Sequence, residues 1–326
     1  MRVNIFVEDI FFFKYLGCST LAKTLYSGIA ASKSVDTRWN SYDADFDLVH
    51  YHSFGPMTLT HKAYSDGVKV LTAHSIPRLN DGNIAFSSFI NNQYPKIYSK
   101  FDHIIAITPP SLREINEMLP DMETTLIPNG VDREKFRPDK EKRGRFRQLI
   151  GVSEMDTVVL TVAQETPRKG IYDFLTLAKL FPDIIFVWVG GYPYSIFSKD
   201  YARIEYCKRN AGRNVIFTGF VPDITEAYAG ADIFLMPSFA EIMPMVLLEA
   251  LSSGVPIIAR DIPEFREVFG PAALLFSDIE GAAAHLRDEP EIRRIKTIAR
   301  PFTERYDIKK IAGEHIATYN KLVNEA

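Results

Sequence analysis

The stretch Ile233-Phe-Leu-Met-Pro237-Ser-Phe-Ala-Glu241-Ile-Met-Pro244-Met-Val-Leu-Leu-Glu249-Ala250 decides the fold. Its opening residues are a continuous apolar run rather than an alternating one, the pattern of a strand in a parallel sheet buried on both faces by helices. A helix opens at Pro244, because proline at the first helical position costs no hydrogen bond. The amides of Met245 and Val246 then lie at a helix N-terminus, ready for an anion. Glu241 precedes that helix and Glu249 lies one and a half turns into it. A carboxylate beside such a helix start is a poor phosphate ligand and suits hydroxyls, as on a sugar or a ribose. The same spacing also fits an amphipathic helix with Glu241 as its N-terminal dipole partner.

Outward from this stretch the same alternation repeats. Downstream and upstream of it, strands are predicted at Thr157–Ala163, Ile184–Val189, Val215–Phe220, Ile233–Pro237, Pro256–Ala259 and Ala272–Phe276. Helices between them are predicted at Ile171–Phe181, Lys199–Asn210, Ile224–Ala229 and Met245–Ser253. An earlier series has strands at Val3–Glu8, Phe46–His52, Val68–His74, His103–Thr108 and Thr124–Ile127, with helices near Ser19–Ser32 and Pro110–Met118. Two such series joined by a polar linker give two doubly wound α/β domains, 1–150 and 151–307. The tail Glu291–Ala326 reads as helical with a break around Tyr306-Asp307. In open α/β sheets ligands sit beyond the carboxyl ends of the strands, and pockets concentrate where domains face each other.

Composition removes several classes. The chain has 326 residues, 46% hydrophobic, 24% charged and 12% aromatic, which argues against disorder, collagen-like repeats and a disulfide mini-protein. Cys18 and Cys207 are two thiols far apart, too few for a four-ligand zinc site and suited to a reducing cytosol; both read as buried small apolar residues. No apolar stretch approaches the roughly 18 residues that span a bilayer. The N-terminal run is broken by Glu8 and Asp9 and reads as a core strand rather than a secretory signal. Net charge is −3, without the basic excess of a nucleic-acid binder. The one dense basic stretch, Arg133 to Arg147, reads as a solvated linker or helix face rather than a membrane or phosphate patch.

Further motifs fall just after strands. Ala163-Gln-Glu-Thr-Pro167-Arg168-Lys169-Gly170 puts adjacent cations at a sheet edge, a planar fork and a mobile point charge for phosphate oxygens; a solvated loop is the plainer reading. In Tyr15-Leu16-Gly17-Cys18-Ser19-Thr20, Gly17 allows close backbone approach and Ser19 or Thr20 can cap the next helix. No G-x-G-x-x-G and no G-K-[ST] is present. His74, in Leu71-Thr-Ala-His74-Ser75, can hydrogen-bond substrate or backbone. His50 and His52 alternate on one strand face and read as packed or substrate-contacting rather than as a metal pair. Asp43-Ala44-Asp45 precedes a strand instead of following one and is rejected as a metal site.

Taken together these motifs resemble the family 4 retaining glycosyltransferases of GT-B fold, two Rossmann-like domains facing a central cleft. The resemblance rests on Glu241 and Glu249, Pro167-Arg168-Lys169-Gly170, Pro128-Asn129-Gly130-Val131-Asp132, Thr218-Gly219-Phe220-Val221, Ala231-Asp232-Ile233 through Pro237-Ser238, and Ser253-Gly254-Val255-Pro256. It implies that Glu241 holds hydroxyls of a donor sugar, that Met243, Pro244, Met245 and Val246 offer backbone to sugar and diphosphate, and that Glu249 binds ribose. It implies diphosphate contacts from Arg168, Lys169 and Gly17, base contacts by the backbone of Phe220 and Val221, and His74 near the reacting carbon. It places a hinge at Asn129–Asp132 and a last helix, 308–326, packed back on the first domain. The substrate implied is a nucleotide sugar, UDP-glucose by resemblance, with no cofactor and no metal. Many relatives carry Gly-Arg where this chain reads Ala163-Gln164, which leaves Arg168 and Lys169 as the main side-chain charges on the diphosphate.

The acceptor expectation rests on aromatic loops of the first domain: Phe11, Phe12 and Phe13 in succession beside Lys14, and Phe86, Phe89, Tyr94 and Tyr98 near Lys96 and Lys100. Core packing accounts for many of these rings, but exposed aromatics beside lysines suit a membrane interface. The short first domain is also similar to diacylglycerol glucosyltransferases. A membrane lipid acceptor touched by Phe12, Phe13 and His52 follows, on a cytoplasmic protein peripheral to the inner face of the membrane. Rival readings are a soluble or polysaccharide acceptor and a non-catalytic nucleotide-sugar binder on the same scaffold; a two-domain sugar-binding protein would need an export signal.

Overall fold

The computed structural model describes residues 1–8, 17–80, 87–194 and 198–326. Contacts divide the chain into two units: Met1–Gly130 with Ile242–Met245 and Tyr306–Ala326, and Val131–Glu241 with Val246–Arg305. The expected boundary at 150/151 therefore moves to Gly130/Val131, while the last helix does group with the first unit.

Among the described residues the first unit holds six strands, β1 Arg2–Phe6, β2 Asp36–Trp39, β3 Leu48–Tyr51, β4 Val68–Thr72, β5 His103–Ala106 and β6 Thr124–Leu126, all parallel, in the order β2-β1-β3-β4-β5-β6. The unanticipated strand is β2, a half-exposed edge strand of sequence Asp-Thr-Arg-Trp without an apolar run to betray it. Val3, Ile5, Leu48, Val70 and Ile105 form the sheet's share of the core, against Leu25 and Ile29 of helix Gly17–Ser32 and Ile311 and Tyr319 of helix Ile308–Glu325. These two helices pack tightly because Gly28 lacks a side chain: a Cβ there would stand 2.8 Å from Ile308 Cγ1. Ser19 and Thr20 lie inside helix Gly17–Ser32 rather than capping it, since the helix already begins at Gly17.

The second unit holds β7 Val158–Val162, β8 Ile185–Val189, β9 Val215–Gly219, β10 Ile233–Met236, β11 Ile257–Arg260 and β12 Ala273–Phe276, all six predicted. They are parallel, in the order β12-β11-β10-β7-β8-β9. Strand order reverses between β7 and β10, and in the first unit between β1 and β3, and such switch points are where open α/β sheets bind ligands. Phe174 sets its ring edge-on to Trp188 and Phe186, at 5.1 and 5.5 Å between centroids, in the core on one face.

The second half of the basic stretch lies in a helix of the second unit, Lys140–Ile150, capped by the Asp139 side chain and closed by Gly151 in the left-handed region. Four of its five cations are paired: Lys142 with Asp223 (3.1 Å), Arg145 with Glu226 (2.6 Å), and Arg143 and Arg147 with the two oxygens of Asp232 (3.0 and 2.6 Å). This explains why residues 131–150 belong here and why they are neither linker nor free phosphate patch. Arg147 is 2% exposed and also donates to the carbonyls of Gly230, Ser153 and Asp156. Breaking a buried pair strands the remaining charge, so Asp232→Ala is expected to cost about 3–5 kcal/mol, read from urea unfolding; a loss under 1 kcal/mol would contradict this account.

Candidate active site

In the second unit, the loops leaving β7 and β10 meet at the switch point. After β7, a single 3-10 turn, Pro167–Lys169, ends at Gly170, whose φ of +77° only glycine adopts without strain. A Cβ on Gly170 would also collide with the Pro237 carbonyl, so this glycine lets the Lys169 loop lie against the exit of β10. Arg168 Nη1 then donates to the Ala240 carbonyl (2.6 Å), and Phe239 N donates to the Arg168 carbonyl (2.9 Å). Lys169 Nζ forms a direct ion pair with Glu241 Oε1, and Arg168 Nη1 stands 3.6 Å from the same oxygen. Burial pulls the Lys169 ammonium below the usual lysine range, Glu241 pulls it back up, and the Arg168 charge opposes that recovery.

Glu241 and Glu249 are each 8% exposed. Helix Met245–Ser252 starts one residue after the expected Pro244 and carries Glu249. Glu249 Oε2 accepts from the Tyr228 hydroxyl at 2.7 Å. Burial raises the Glu249 carboxyl's pKa, and the tyrosine bond and Lys135 pull it down. Phe220, beyond β9, is 74% exposed, with its ring edge over Gly191, where a Cβ would approach to 3.1 Å; Val221 is half-buried beside it. Arg260, at the end of β11, ion-pairs with Asp173, donates from Nε to the Pro237 carbonyl (3.1 Å), and lies 3.9 Å from the Phe239 ring centroid. Tyr228 and Arg260 thus support the site without any local sequence signal. Each works through a partner more than twenty residues away.

Residues Ile242–Met245 group with the first unit, where Asn129 Nδ2 donates to the Met243 carbonyl at 2.8 Å. The Met243 carbonyl thus already accepts one hydrogen bond within the protein. At the sheet edge of the same unit, His74 follows β4 and His52 follows β3, joined by a bond of 2.8 Å from His52 Nδ1 to His74 Nε2. His52 is 2% exposed and packs its ring 4.2 Å from that of His50. It is thus buried behind His74 and does not present a surface to an acceptor, contrary to expectation. His50 is held by Thr72 Oγ1 and the Tyr319 hydroxyl, each at 2.6 Å, so the His50/His52 alternation is core packing.

Gly17 opens its helix. Phe12 and Phe13, with Phe11 and Phe86, lie outside the described residues. Asp45 is engaged by Arg2, and Asp43 accepts from Ser41. Cys18 and Cys207 are half-buried rather than buried. Among the described residues, no helix is long and apolar enough to cross a membrane.

Two parallel doubly wound sheets are the GT-B architecture, and the comparisons agree with it. The chain matches the model for group 1 glycosyl transferases over residues 142–287 and that for glycosyltransferase family 4 over 19–135. It is 31% identical over 232 residues to the α-galactosylglucosyldiacylglycerol synthase of Streptococcus pneumoniae, covering 68% of this chain and 62% of that protein. It is 27% identical over 265 residues to the processive diacylglycerol α-glucosyltransferase of Acholeplasma laidlawii, 76% of each chain. The crystal structure of Anabaena HepE in complex with UDP-glucose superposes with a TM-score of 0.81 at 18% identity, over 99% of this chain and 100% of that one. The chain belongs to the family 4 glycosyltransferases.

Proposed function

We propose that this protein is a hexosyltransferase that moves glucose from UDP-glucose to a hydroxyl of a membrane glycerolipid, with retention of anomeric configuration. The observation that carries the reading is the Lys169–Glu241 pair at the switch point of the second sheet, with Arg168 alongside. The donor assignment draws support from a structural neighbour crystallised with UDP-glucose, and the lipid acceptor from two relatives with diacylglycerol lipids in their names.

In this reading the chemistry follows from charge. Leaving of the diphosphate builds positive charge on the sugar and negative charge on the phosphates. Lys169 and Arg168 meet the negative charge, and the start of helix Met245–Ser252 adds up to ~2 kcal/mol in favourable geometry. Lys169 and Arg168 are fixed beforehand by Glu241 and the Ala240 carbonyl, so they need little reorganisation as charge develops. Glu241 accepts hydroxyls of the sugar, Glu249, steadied by Tyr228, accepts those of the ribose, and Phe220 and Val221 flank the base. Gln164 supplies no cation, which leaves Lys169 and Arg168 as the main side-chain charges for the diphosphate. An acceptor attacking from the leaving-group face gives retention without a protein nucleophile. Phe89, 70% exposed, with exposed Lys96 and Lys100 nearby in sequence, suits peripheral attachment to the cytoplasmic face of a membrane.

A thermal-shift panel with UDP-glucose, UDP-galactose and GDP-mannose, followed by transfer assays with diacylglycerol vesicles and with soluble oligosaccharides, tests the reading. UDP-glucose should stabilise the protein most and glucolipid should form. The protein should also sediment with anionic vesicles at low salt and less at high salt. Transfer only to oligosaccharide would replace the acceptor, and tight binding without turnover would replace the enzyme by a binding protein.

A further inference from the structure

The first unit buries His50, His52, His61, His103 and His315. His52 makes a single side-chain hydrogen bond among the described residues, to His74 Nε2; its own Nε2 is buried without a partner. A 2%-exposed imidazole that leaves one nitrogen unbonded and gives the other to a neighbouring ring is placed for that neighbour. Behind His52, the His50 ring lies at 4.2 Å, pinned between Thr72 on β4 and Tyr319 on the last helix. His315, on the same helix, adds its ring 5.3 Å from that of His50. The array is thus anchored at His50, between a strand and the last helix, and ends at His74, its half-buried member at the sheet edge.

We propose that His52 is a positioning residue that holds His74 through Nε2, so that Nδ1 is the nitrogen His74 offers to a ligand. The bond fixes both the ring's rotation and its available edge, as outer-shell partners do for ligating histidines. Either direction of proton donation between the two rings gives the same result, because Nε2 is engaged in both. Burial pushes His74 down to about 4 and His52 well below the usual histidine range, so both rings are neutral at pH 7 and each retains one bare nitrogen. The contact of His74 with substrate rests on the proposed function and on the place the family resemblance gives this histidine; the His52 bond does not.

Two pairs of variants on the full chain test this. Asparagine carries a polar atom near the position of imidazole Nδ1, and glutamine near that of Nε2. His52→Leu should lower kcat about tenfold with the donor KM unchanged, and His52→Asn should restore most of it. His74→Asn should retain several-fold more kcat than His74→Gln. On 15N-histidine-labelled protein without substrate, His52→Leu should move the His74 Nε2 resonance, and UDP-glucose added to the wild type should move Nδ1. An unchanged kcat in His52→Leu, a better His74→Gln than His74→Asn, or an Nε2 resonance insensitive to His52→Leu would overturn the proposal. Absence of any transfer by the wild type would instead reject the proposed function, and the resonance of Nε2 would still decide the role of His52.

Discussion

Replacing Lys169 by alanine is expected to lower turnover by about 10²–10³-fold, the scale of losing one fixed transition-state donor. Lys169 sits with its side chain 14% exposed, so a phosphate oxygen that reaches it is met by a poorly hydrated cation. The fold should survive the change. Arg168 stands 3.6 Å from the same Glu241 oxygen and is anchored on the Ala240 carbonyl, so the carboxylate keeps a cationic neighbour. Glu241→Ala is expected to fall by a similar factor, through lost sugar contacts and a lysine freed from its partner. Initial rates at saturating UDP-glucose, with thermal unfolding measured alongside, check both. Near-wild-type turnover in either variant would remove the pair from the chemistry. Lys169→Arg is no conservative control, since a planar fork does not replace a point charge in a narrow loop.

Acid is expected to unfold the first unit early. Burial holds His50 and His52 well below the ordinary histidine value of 6.5, with the other histidines adding repulsion, and pushes His74 down to about 4 and His315 to about 3. The sign follows from these directions. Below pH 6.5 the unfolded chain binds protons that the folded rings refuse, so stability is fully present above that pH and is lost as pH falls. For His74 the loss runs from about 6.5 to about 4, and for His315 to about 3. Each such group costs about 1.4 kcal/mol per pH unit within its window, so even two of the four remove several kcal/mol by pH 5. Urea midpoints should drop steeply between pH 7 and pH 5, and His315→Leu should flatten that drop by roughly 2 kcal/mol. A stability independent of pH over this range would mean that the array opens to solvent.

The sequence by itself determined the architecture and where the second unit's charged side chains lie along its strands. Continuous runs such as Ile233–Met236 and Val158–Val162 can be satisfied only by strands covered on both faces, and the motifs after them need only local chain geometry to reach the strand ends. The placement of Arg168, Lys169, Glu241 and Glu249 was therefore legible, because each lies within about a dozen residues of its strand. Tertiary structure alone decided what depends on partners distant in sequence. It moved residues 131–150 into the second unit through Asp232, Asp223 and Glu226, and it gave Glu249 its Tyr228. It also turned His52 from an acceptor contact into the support of His74, through a stack that ends on Tyr319, 269 residues from His50. Periodicity and spacing record how each segment meets water. They do not record which buried polar group will find which partner, because that pairing is fixed only when the core closes and every buried donor must be satisfied.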